Sequence, residues 1–344
     1  MTEELKQLLD RHEAFWKAEE KVLLKRVAEH QPLGSGGGRG IPLANGERSQ
    51  EGQEITPELI DPQLFYGEGN GPANIVNGDF LAGAGLPGLC WTEAIVGCPV
   101  RIVTGGPWAE PSAADWRKSA EVMPDERWLE KLDAFVDLQV ERAAGRWPVT
   151  QPLMRGPIDM IASALGHEEM CLALMEEPEA ADGFLARCAE IFIETAKRRL
   201  EHTPPFEGGY LSGYGIWAPG SVVRTQIDNA AMLSPEVYRE KVLPHDRKVI
   251  ETFDFPLIHL HSVCMHVVDA LLEVEALKAI QVSIDFPGGP LAEEIMPTLE
   301  KVAGKKSLII TGPVTESELE GLVGLADKGS ICISVALVKA GSVE

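Results

Sequence analysis

The sequence predicts an α/β fold, a (β/α)8 TIM barrel preceded by an N-terminal helical extension. Strand-like and helix-like segments alternate over more than half of the chain with short connections, a pattern typical of a parallel sheet that is covered on both faces. A length of 344 residues suits one decorated barrel better than two small domains. An open doubly wound sheet is the alternative, but no Gly-x-Gly-x-x-Gly motif follows a predicted strand.

The composition limits the partners that the chain is expected to bind. It carries 53 acidic and 31 basic residues, a formal net charge of -22, whereas nucleic-acid binding requires clustered Lys and Arg. The six cysteines are scattered and lack the close pairing of a zinc ribbon or a disulfide scaffold. The first residues are charged, and no stretch approaches the ~18 apolar residues of a membrane span. We therefore expect a cytoplasmic protein that binds neither nucleic acid nor membrane.

Residues 1–55 are predicted to form an extension, and residues 56–344 the barrel. Apolar residues recur at helical spacing over residues 5–28, which predicts an amphipathic surface or oligomer-contact helix and leaves a homodimer open. Residues 31–54 contain the run Gly-Ser-Gly-Gly-Gly-Arg-Gly and few apolar side chains, so a flexible segment is predicted there. The run is not expected to bind phosphate, because no Lys-Ser/Thr pair follows it.

Residues 72–101 are rich in glycine and aromatic turns and are predicted to form an ordered active-site loop region. Its two acidic residues are candidates for the site, Glu93 for catalysis and Asp79 for substrate binding. Turn chemistry is the competing interpretation of Asp79, because Asp is a common turn residue and this one follows Asn-Gly.

The middle of the chain is predicted to contain helices over residues 125–144, 158–165 and 179–201 and a strand over residues 149–154. Polar side chains at the ends of its apolar runs are Arg155, Tyr210, Tyr214, Gln226 and Asp228. At the edge of a barrel such residues are expected to hydrogen-bond a small-molecule substrate. Asp228, two residues after Gln226, is also a candidate catalytic carboxylate.

One complete β-α-β unit is predicted within residues 253–285. Its first strand contains His259 and His261, whose spacing of two residues places both imidazoles on one face of the strand. A helix over residues 267–277 and a strand over residues 279–284 follow, and Asp285 ends the second strand. Sites in parallel sheets lie at the carboxyl ends of the strands, so this unit is the expected position of the chemistry.

His259 and His261 are candidate metal ligands, because imidazole is a common ligand of zinc. Cys264 is a competing candidate in the loop that follows them. Asp285 is expected to orient a histidine or to act as a base. The alternative for the histidines is that one imidazole caps a barrel strand and hydrogen-bonds a backbone carbonyl. The alternation then continues through helices over residues 291–302 and 315–326 and strands over residues 307–312 and 330–335.

Several motifs together resemble the uroporphyrinogen decarboxylase superfamily, and the resemblance covers roughly residues 60 to 335. They are RGPIDMIASALGHEEMCLALMEEPE (155–179), DNAAMLSPEVYREKVLPHDRKVI (228–250), PLIHLHS (256–262) and the closing strand-helix-strand run. The resemblance implies a (β/α)8 barrel. The arginine-rich N-terminal motif of the true decarboxylases is absent from this sequence, and a substrate with many carboxylates would meet a strongly acidic protein.

The resemblance is therefore closer to the zinc-dependent methyltransferase branch, which passes a methyl group between a corrinoid protein and a thiol or folate. That branch binds zinc through His-x-Cys and a late cysteine, and the matching positions here are His259-Leu260-His261 and Cys332. Two imidazoles and a thiolate would leave one zinc position open for substrate. The implied cofactors are zinc and a corrinoid (cobalamin) carried by a partner protein. A true decarboxylase and a non-catalytic barrel that binds a corrinoid or tetrapyrrole are the alternatives.

Overall fold

A computed structural model of the protein describes residues 1–29, 40–67, 71–112, 115–285 and 288–339. The glycine run at residues 34–38 and Arg39 lie outside the described residues. The chain divides into two compact units. The first unit comprises Met1–Gln31, Asn74–Ala82 and Gly208–Glu344, and the second comprises Pro32–Ala73 and Gly83–Glu207. The predicted boundary near residue 55 stays a prediction.

The strands are β1 (Leu23–Glu29), β2 (Glu54–Ile55), β3 (Val76–Asn77), β4 (Phe80–Leu81), β5 (Val100–Val103), β6 (Gly106–Ala109), β7 (Tyr210–Leu211), β8 (Trp217–Ala218), β9 (Val222–Gln226), β10 (Phe255–His261), β11 (Ala279–Ser283), β12 (Ser307–Val314) and β13 (Ile331–Leu337). The α-helices are α1 (Glu3–Phe15), α2 (Pro62–Tyr66), α3 (Trp91–Ile95), α4 (Glu126–Ala143), α5 (Pro157–Leu165), α6 (His167–Glu176), α7 (Pro178–His202), α8 (Pro235–Val237), α9 (Leu243–Ile250), α10 (Val268–Leu272), α11 (Ala292–Ala303) and α12 (Glu316–Gly324).

A parallel sheet of six strands, in the order β1-β13-β12-β11-β10-β9, forms the centre of the first unit. Crossover segments that contain helices connect β9 to β13 in sequence, as parallel pairing requires. The predicted α/β class is therefore confirmed. Among the described strands β1 and β9 are the edges of this sheet, and closure into a (β/α)8 barrel stays a prediction.

The predicted helix over residues 5–28 is wrong in its second half. Helix α1 ends at Phe15, and Lys21 adopts a left-handed backbone conformation with φ of 55°, which no helix can accommodate. Strand β1 follows and pairs with β13 along its whole length. Its Leu24 is fully buried in the core. Burial of this side chain by the neighbouring strand outweighs the local helical spacing.

Apolar and polar layers alternate along the inner strands of this sheet. Residues of one layer come from the amino-terminal halves of neighbouring strands and form a buried apolar cluster, which includes Val222, Leu257, Ala279, Ile309 and Cys332. Polar residues follow on the same face of four of these strands. Gln226 lies four residues after Val222, and His259, Gln281 and Thr311 lie two residues after Leu257, Ala279 and Ile309. The apolar cluster therefore supports a polar layer at the carboxyl ends of the strands.

The second unit contains the antiparallel sheet β2-β5-β6 and the long helices α4 and α7. The predicted helices over residues 125–144, 158–165 and 179–201 match α4, α5 and α7 within two residues at either end. The predicted strand over residues 149–154 is reduced to bridge residues at Val149 and Thr150, and Val149 pairs in parallel with Ala84. The proline at position 152 has no backbone N–H to donate, which explains why a regular ladder does not form there.

His12 on α1 is buried and neutral, and this gives the first unit a pH-dependent stability. Its Nδ1 accepts a hydrogen bond from the backbone N–H of Trp217 at 3.0 Å, so Nε2 donates to the carbonyl of Asp79 at 2.9 Å. Burial lowers the pKa of His12 to about 4. Between pH 6.5 and 4 the unfolded chain binds a proton that the folded chain does not. The contribution of His12 to the free energy of unfolding is therefore complete above pH 6.5 and is lost as the pH falls toward 4.

We expect this loss to reduce the free energy of unfolding by about 3 kcal/mol between pH 6.5 and 4. Urea unfolding of the wild type and of His12→Gln, followed by tryptophan fluorescence across this pH range, measures it. Glutamine does not titrate, so the difference between the two proteins should shrink as the pH falls. Parallel pH profiles for the two proteins would contradict the assignment.

Candidate metal centre

His259 and His261 lie at the carboxyl end of β10 and face the same side of the sheet. Their ring centroids are 5.0 Å apart, and the ring planes are nearly perpendicular at 85°. His259 is 8% exposed, and the side chain of His261 is about one-third exposed. The pair therefore stands at the border between the apolar core and the solvent, one ring below the other.

Asp228 brings a carboxylate to both imidazoles. It lies two residues after the end of β9, at the start of a 3-10 helix over Asp228–Met232, and β9 is the neighbour of β10 in the sheet. Its Oδ1 lies 3.4 Å from Nε2 of His259 and 3.5 Å from Nε2 of His261. The ligand atoms of the three residues all lie within 4.8 Å of one another. Two imidazoles and one carboxylate thus converge on one point.

The remaining nitrogen of each imidazole is held by a second side chain. Nδ1 of His259 hydrogen-bonds the side-chain oxygen of Gln281, and Nδ1 of His261 hydrogen-bonds Oδ1 of Asp285. The hydroxyl of Ser262 donates to Oδ2 of Asp285 at 3.1 Å and accepts from the backbone N–H of Asp285 at the same distance. These contacts fix the ring orientations, and they leave Nε2 of both rings directed at Asp228.

The charges of the three residues depend on one another. Burial raises the pKa of Asp228, but the adjacent imidazoles of His259 and His261 lower it by more, so this carboxylate is ionised throughout the physiological range. The hydrogen bond with Asp228 raises the pKa of His261 to about 9, with a further contribution from Asp285. Burial lowers the pKa of His259 below its ordinary value. In the metal-free protein at pH 7, His259 is therefore neutral and His261 is protonated.

The three residues fit a divalent metal ion. Histidine nitrogens and a carboxylate oxygen are ordinary ligands of zinc and of other first-row metals. Donor atoms that lie 2.0–2.2 Å from one tetrahedral zinc are roughly 3.4 Å apart, which agrees with both Nε2–Oδ1 distances. A carboxylate or amide oxygen on the second nitrogen of a metal-bound histidine is the usual arrangement around such sites.

Among the residues singled out in the sequence, the structure brings six together. They are Tyr214, Gln226, Asp228, His259, His261 and Asp285. Gln226 donates to Oδ2 of Asp228, and the Tyr214 hydroxyl contacts Gln281. Whether these residues act in catalysis or substrate binding stays a prediction.

The two cysteines do not join this group in the described part of the chain. Cys332 is fully buried in the apolar cluster, which also contains Leu257, the residue two positions before His259 on β10. Its early position in β13 explains this, since ligands lie at the carboxyl ends. The thiol of Cys264 is buried and directed at the backbone carbonyls of Ile227 and Asp228, 3.9 and 3.7 Å away. The third candidate ligand atom belongs to Asp228.

Two further candidates in the first unit have structural contacts. Asp79 forms an ion pair with Arg11 at 2.7 Å and accepts from the backbone N–H of Lys25 at 2.9 Å, which ties α1 and β1 together. Tyr210 packs against the apolar cluster. Neither lies in the group of ligand atoms.

Glu93 and Arg155 belong to the second unit and form a pair of their own. Nε of Arg155 lies 3.3 Å from Oε1 of Glu93. The Glu93 residue is only 1% exposed. The guanidinium of Arg155 also stacks over the ring of Trp108 at 5.2 Å. Their predicted roles in catalysis and substrate binding stay predictions.

The sequence reasoning missed Gln281, Arg224, Thr311 and Ser262. The sequence did indicate Gln281 and Arg224, because each is a polar residue within a strand-like run of apolar or β-branched residues. Gln281 is fully buried. A buried polar side chain requires hydrogen-bond partners, so a glutamine in such a run predicts a polar neighbour on the same face.

The assignment of the third ligand can be tested with a matched pair of variants. Asp228→Ala removes a candidate ligand and is expected to weaken zinc binding by more than about a hundredfold, because replacing a residue that only hydrogen-bonds a ligand already costs about 10–100-fold. Cys332→Ala is expected to keep the wild-type zinc affinity and to lose about 1 kcal/mol of stability from a small core cavity. Zinc competition with a chromophoric chelator and urea unfolding measure the two effects. Loss of zinc in Cys332→Ala alone would contradict the geometry.

Comparison with known proteins shows similarity at the level of the fold. No family model matches the sequence, and no curated protein matches it. Among solved structures, a methyltransferase from Methanosarcina mazei superposes with a TM-score of 0.53 at 13% sequence identity, over 75% of this chain and 75% of that chain. In the described ranges, no helix combines the length and apolarity that crossing a membrane requires. At this identity the similarity shows that the two proteins share an α/β architecture.

Proposed function

We propose that the protein is a metal-dependent methyltransferase of the uroporphyrinogen decarboxylase-like type. It would move a methyl group between a corrinoid protein, or a small methylated compound, and a thiol or folate acceptor. The observation that carries the proposal is the convergence of Nε2 of His259 and Nε2 of His261 on Oδ1 of Asp228. The motifs around residues 155–179, 228–250 and 256–262 support it, and the protein with the similar fold is named a methyltransferase.

Asp228, His259 and His261 would hold the metal, with zinc as the first choice. A bound divalent ion supplies a Lewis acid that lowers the pKa of a coordinated thiol and so favours the thiolate. The three ligands carry one negative charge between them, so the centre would keep a net positive charge toward an anionic acceptor. Sites with three protein ligands leave a position for substrate, as catalytic zinc sites do.

The surrounding residues of this chain would prepare the ligands. Asp285 fixes the ring of His261 through Nδ1, and Gln281 does the same for His259. Gln226 holds the second oxygen of Asp228. Each of these contacts limits the rotation of a ligand side chain, which lowers the reorganisation that binding requires.

Incubation of the zinc-loaded protein with methylcobalamin and a thiol such as 2-mercaptoethanol, or with methylcobalamin and tetrahydrofolate, tests the proposal. In the thiol reaction the cobalt–carbon bond breaks with its electron pair left on cobalt, an S–CH3 bond forms, and the thiol proton goes to solvent. Zinc-dependent loss of the methylcobalamin spectrum, absent in His261→Ala, is expected. Cys332→Ala is the matched control and should react like the wild type.

Two other results would replace the proposal. Release of CO2 from uroporphyrinogen by metal-free protein would identify a decarboxylase. A spectral shift of cobalamin on binding, with no turnover of methylcobalamin at any zinc concentration and with both acceptors, would identify a barrel that only binds the corrinoid.

A further inference from the structure

The guanidinium of Arg224 connects the two sides of the candidate metal centre. Arg224 lies on β9, two residues before Gln226 on the same face. Its Nε donates to the hydroxyl oxygen of Tyr214 at 3.0 Å, and its Nη1 donates to the side-chain oxygen of Gln226 at 2.8 Å. A guanidinium has five N–H donors and no acceptor, so the direction of both hydrogen bonds is fixed.

The first bond determines how His259 is protonated. Because Tyr214 accepts from Arg224, its own O–H is free to donate to the side-chain oxygen of Gln281. The amide nitrogen of Gln281 donates in the opposite direction, to the hydroxyl of Thr311 at 2.8 Å. The oxygen of Gln281 therefore faces His259, and Nδ1 of His259 must carry the hydrogen that this oxygen accepts. Nε2 of His259 is left with its lone pair.

The second bond determines how Asp228 is oriented. Since the oxygen of Gln226 accepts from Arg224, its amide nitrogen faces Asp228 and donates to Oδ2. The other oxygen, Oδ1, is the atom that both histidine Nε2 atoms approach. Both hydrogen-bonded paths thus begin at the guanidinium of Arg224, which can only donate. One path ends at His259 and the other at Asp228.

We propose that Arg224, acting through Tyr214 and Gln281 on one side and Gln226 on the other, sets the tautomer of His259 and the orientation of Asp228 for metal binding. Arg224, Tyr214, Gln226 and Gln281 are positioning residues. The purpose of the network rests on the proposed metal function, whereas the tautomer it imposes is a property of the metal-free protein. The two ideas can therefore fail separately.

The tautomer is measurable by NMR of metal-free protein labelled with 15N-histidine, at pH 8, with the His259 signals assigned by their loss in His259→Gln. In the wild type, His259 is expected to be protonated on Nδ1 alone. In Tyr214→Phe the donor to Gln281 is gone, its amide can turn over, and the Nε2-protonated form should become populated. Tyr210→Phe is the matched control, because the hydrogen bonds that join Arg224 to Gln281 run through Tyr214 and not through Tyr210, and it should keep the wild-type tautomer.

A second variant separates loss of the network from loss of folding. Gln281→Glu in the Tyr214→Phe background places a carboxylate, which only accepts, opposite His259, so protonation of Nδ1 should return. Zinc affinity, measured by competition, is expected to fall by about 10–100-fold in Tyr214→Phe. A wild type that is already protonated on Nε2, or an unchanged tautomer in Tyr214→Phe, would overturn the inference. The expected tautomers in a protein that binds no zinc would support the network and remove the proposed function.

Discussion

Replacement of either His259 or His261 by alanine is expected to abolish stoichiometric metal binding. Each imidazole supplies one of three protein ligands, and the remaining pair can no longer enclose the ion. Removing a ligand should cost more affinity than removing a residue that hydrogen-bonds a ligand, so we expect zinc affinity to fall by more than about a hundredfold in each variant. Elemental analysis after dialysis against a weak chelator, and zinc competition in solution, measure the loss.

A matched control comes from a histidine outside the centre. His202→Ala removes an imidazole in the second unit that hydrogen-bonds Asp137 at 2.8 Å, and it should retain one metal ion per chain. Circular dichroism of all three variants establishes that they are folded. If His259→Ala and His261→Ala bind zinc as tightly as the wild type does, the centre is not a metal site.

The local part of this centre could be predicted from the sequence. The alternation of side chains along a strand is a local property of the backbone, so the common face of His259 and His261 followed from their spacing. The strand itself was indicated by the apolar run that precedes His259, and β10 spans Phe255–His261. Asp285 at the end of the next strand was expected to orient a histidine, and it hydrogen-bonds His261.

The third member of this group of candidate ligands could not be predicted in the same way. Asp228 reaches the histidines because β9 and β10 pair in the register that sets Gln226 opposite His259. Register between strands about thirty residues apart is a tertiary property, and the sequence places Asp228 only at the end of an apolar run. The resemblance to the methyltransferase branch implies Cys332 as a ligand through its match to a late cysteine, but its position early in β13 places it in the apolar layer.

Two errors in the elements have a similar origin. Residues 22–27 satisfy helical and strand-like spacing equally well over so short a stretch, and pairing with β13 decides for a strand. At residues 149–154 the apolar composition predicts a strand, although only Val149 and Thr150 are bridge residues there. In the first case a strand distant in sequence determines the backbone, and in the second Pro152 lacks the N–H that a regular ladder needs.

Zinc affinity is expected to rise steeply with pH up to about pH 9 and to level off above it. Metal binding requires a bare Nε2, and the hydrogen bond with Asp228 raises the pKa of His261 to about 9 in the metal-free protein. At pH 7 the ion must therefore displace one proton from His261. Burial lowers the pKa of His259, and Asp228 is ionised, so neither residue should release a further proton when the metal binds. We expect affinity to increase about tenfold per pH unit, or about a hundredfold from pH 7 to 9.

Calorimetric titration with zinc in two buffers of different ionisation enthalpy measures the number of protons released per zinc ion bound. We expect about one proton at pH 7 and none at pH 10. Asp285→Asn removes one carboxylate that raises the pKa of His261, so the levelling-off should move to lower pH. Stability without metal should follow the opposite trend. Because the folded pKa of His261 exceeds its unfolded value, the stabilisation is full below pH 6.5 and is lost as the pH rises through 9. Alkaline pH should thus destabilise the metal-free fold while it strengthens metal binding. Zinc binding at pH 7 with no proton release would contradict the assignment of the released proton to His261.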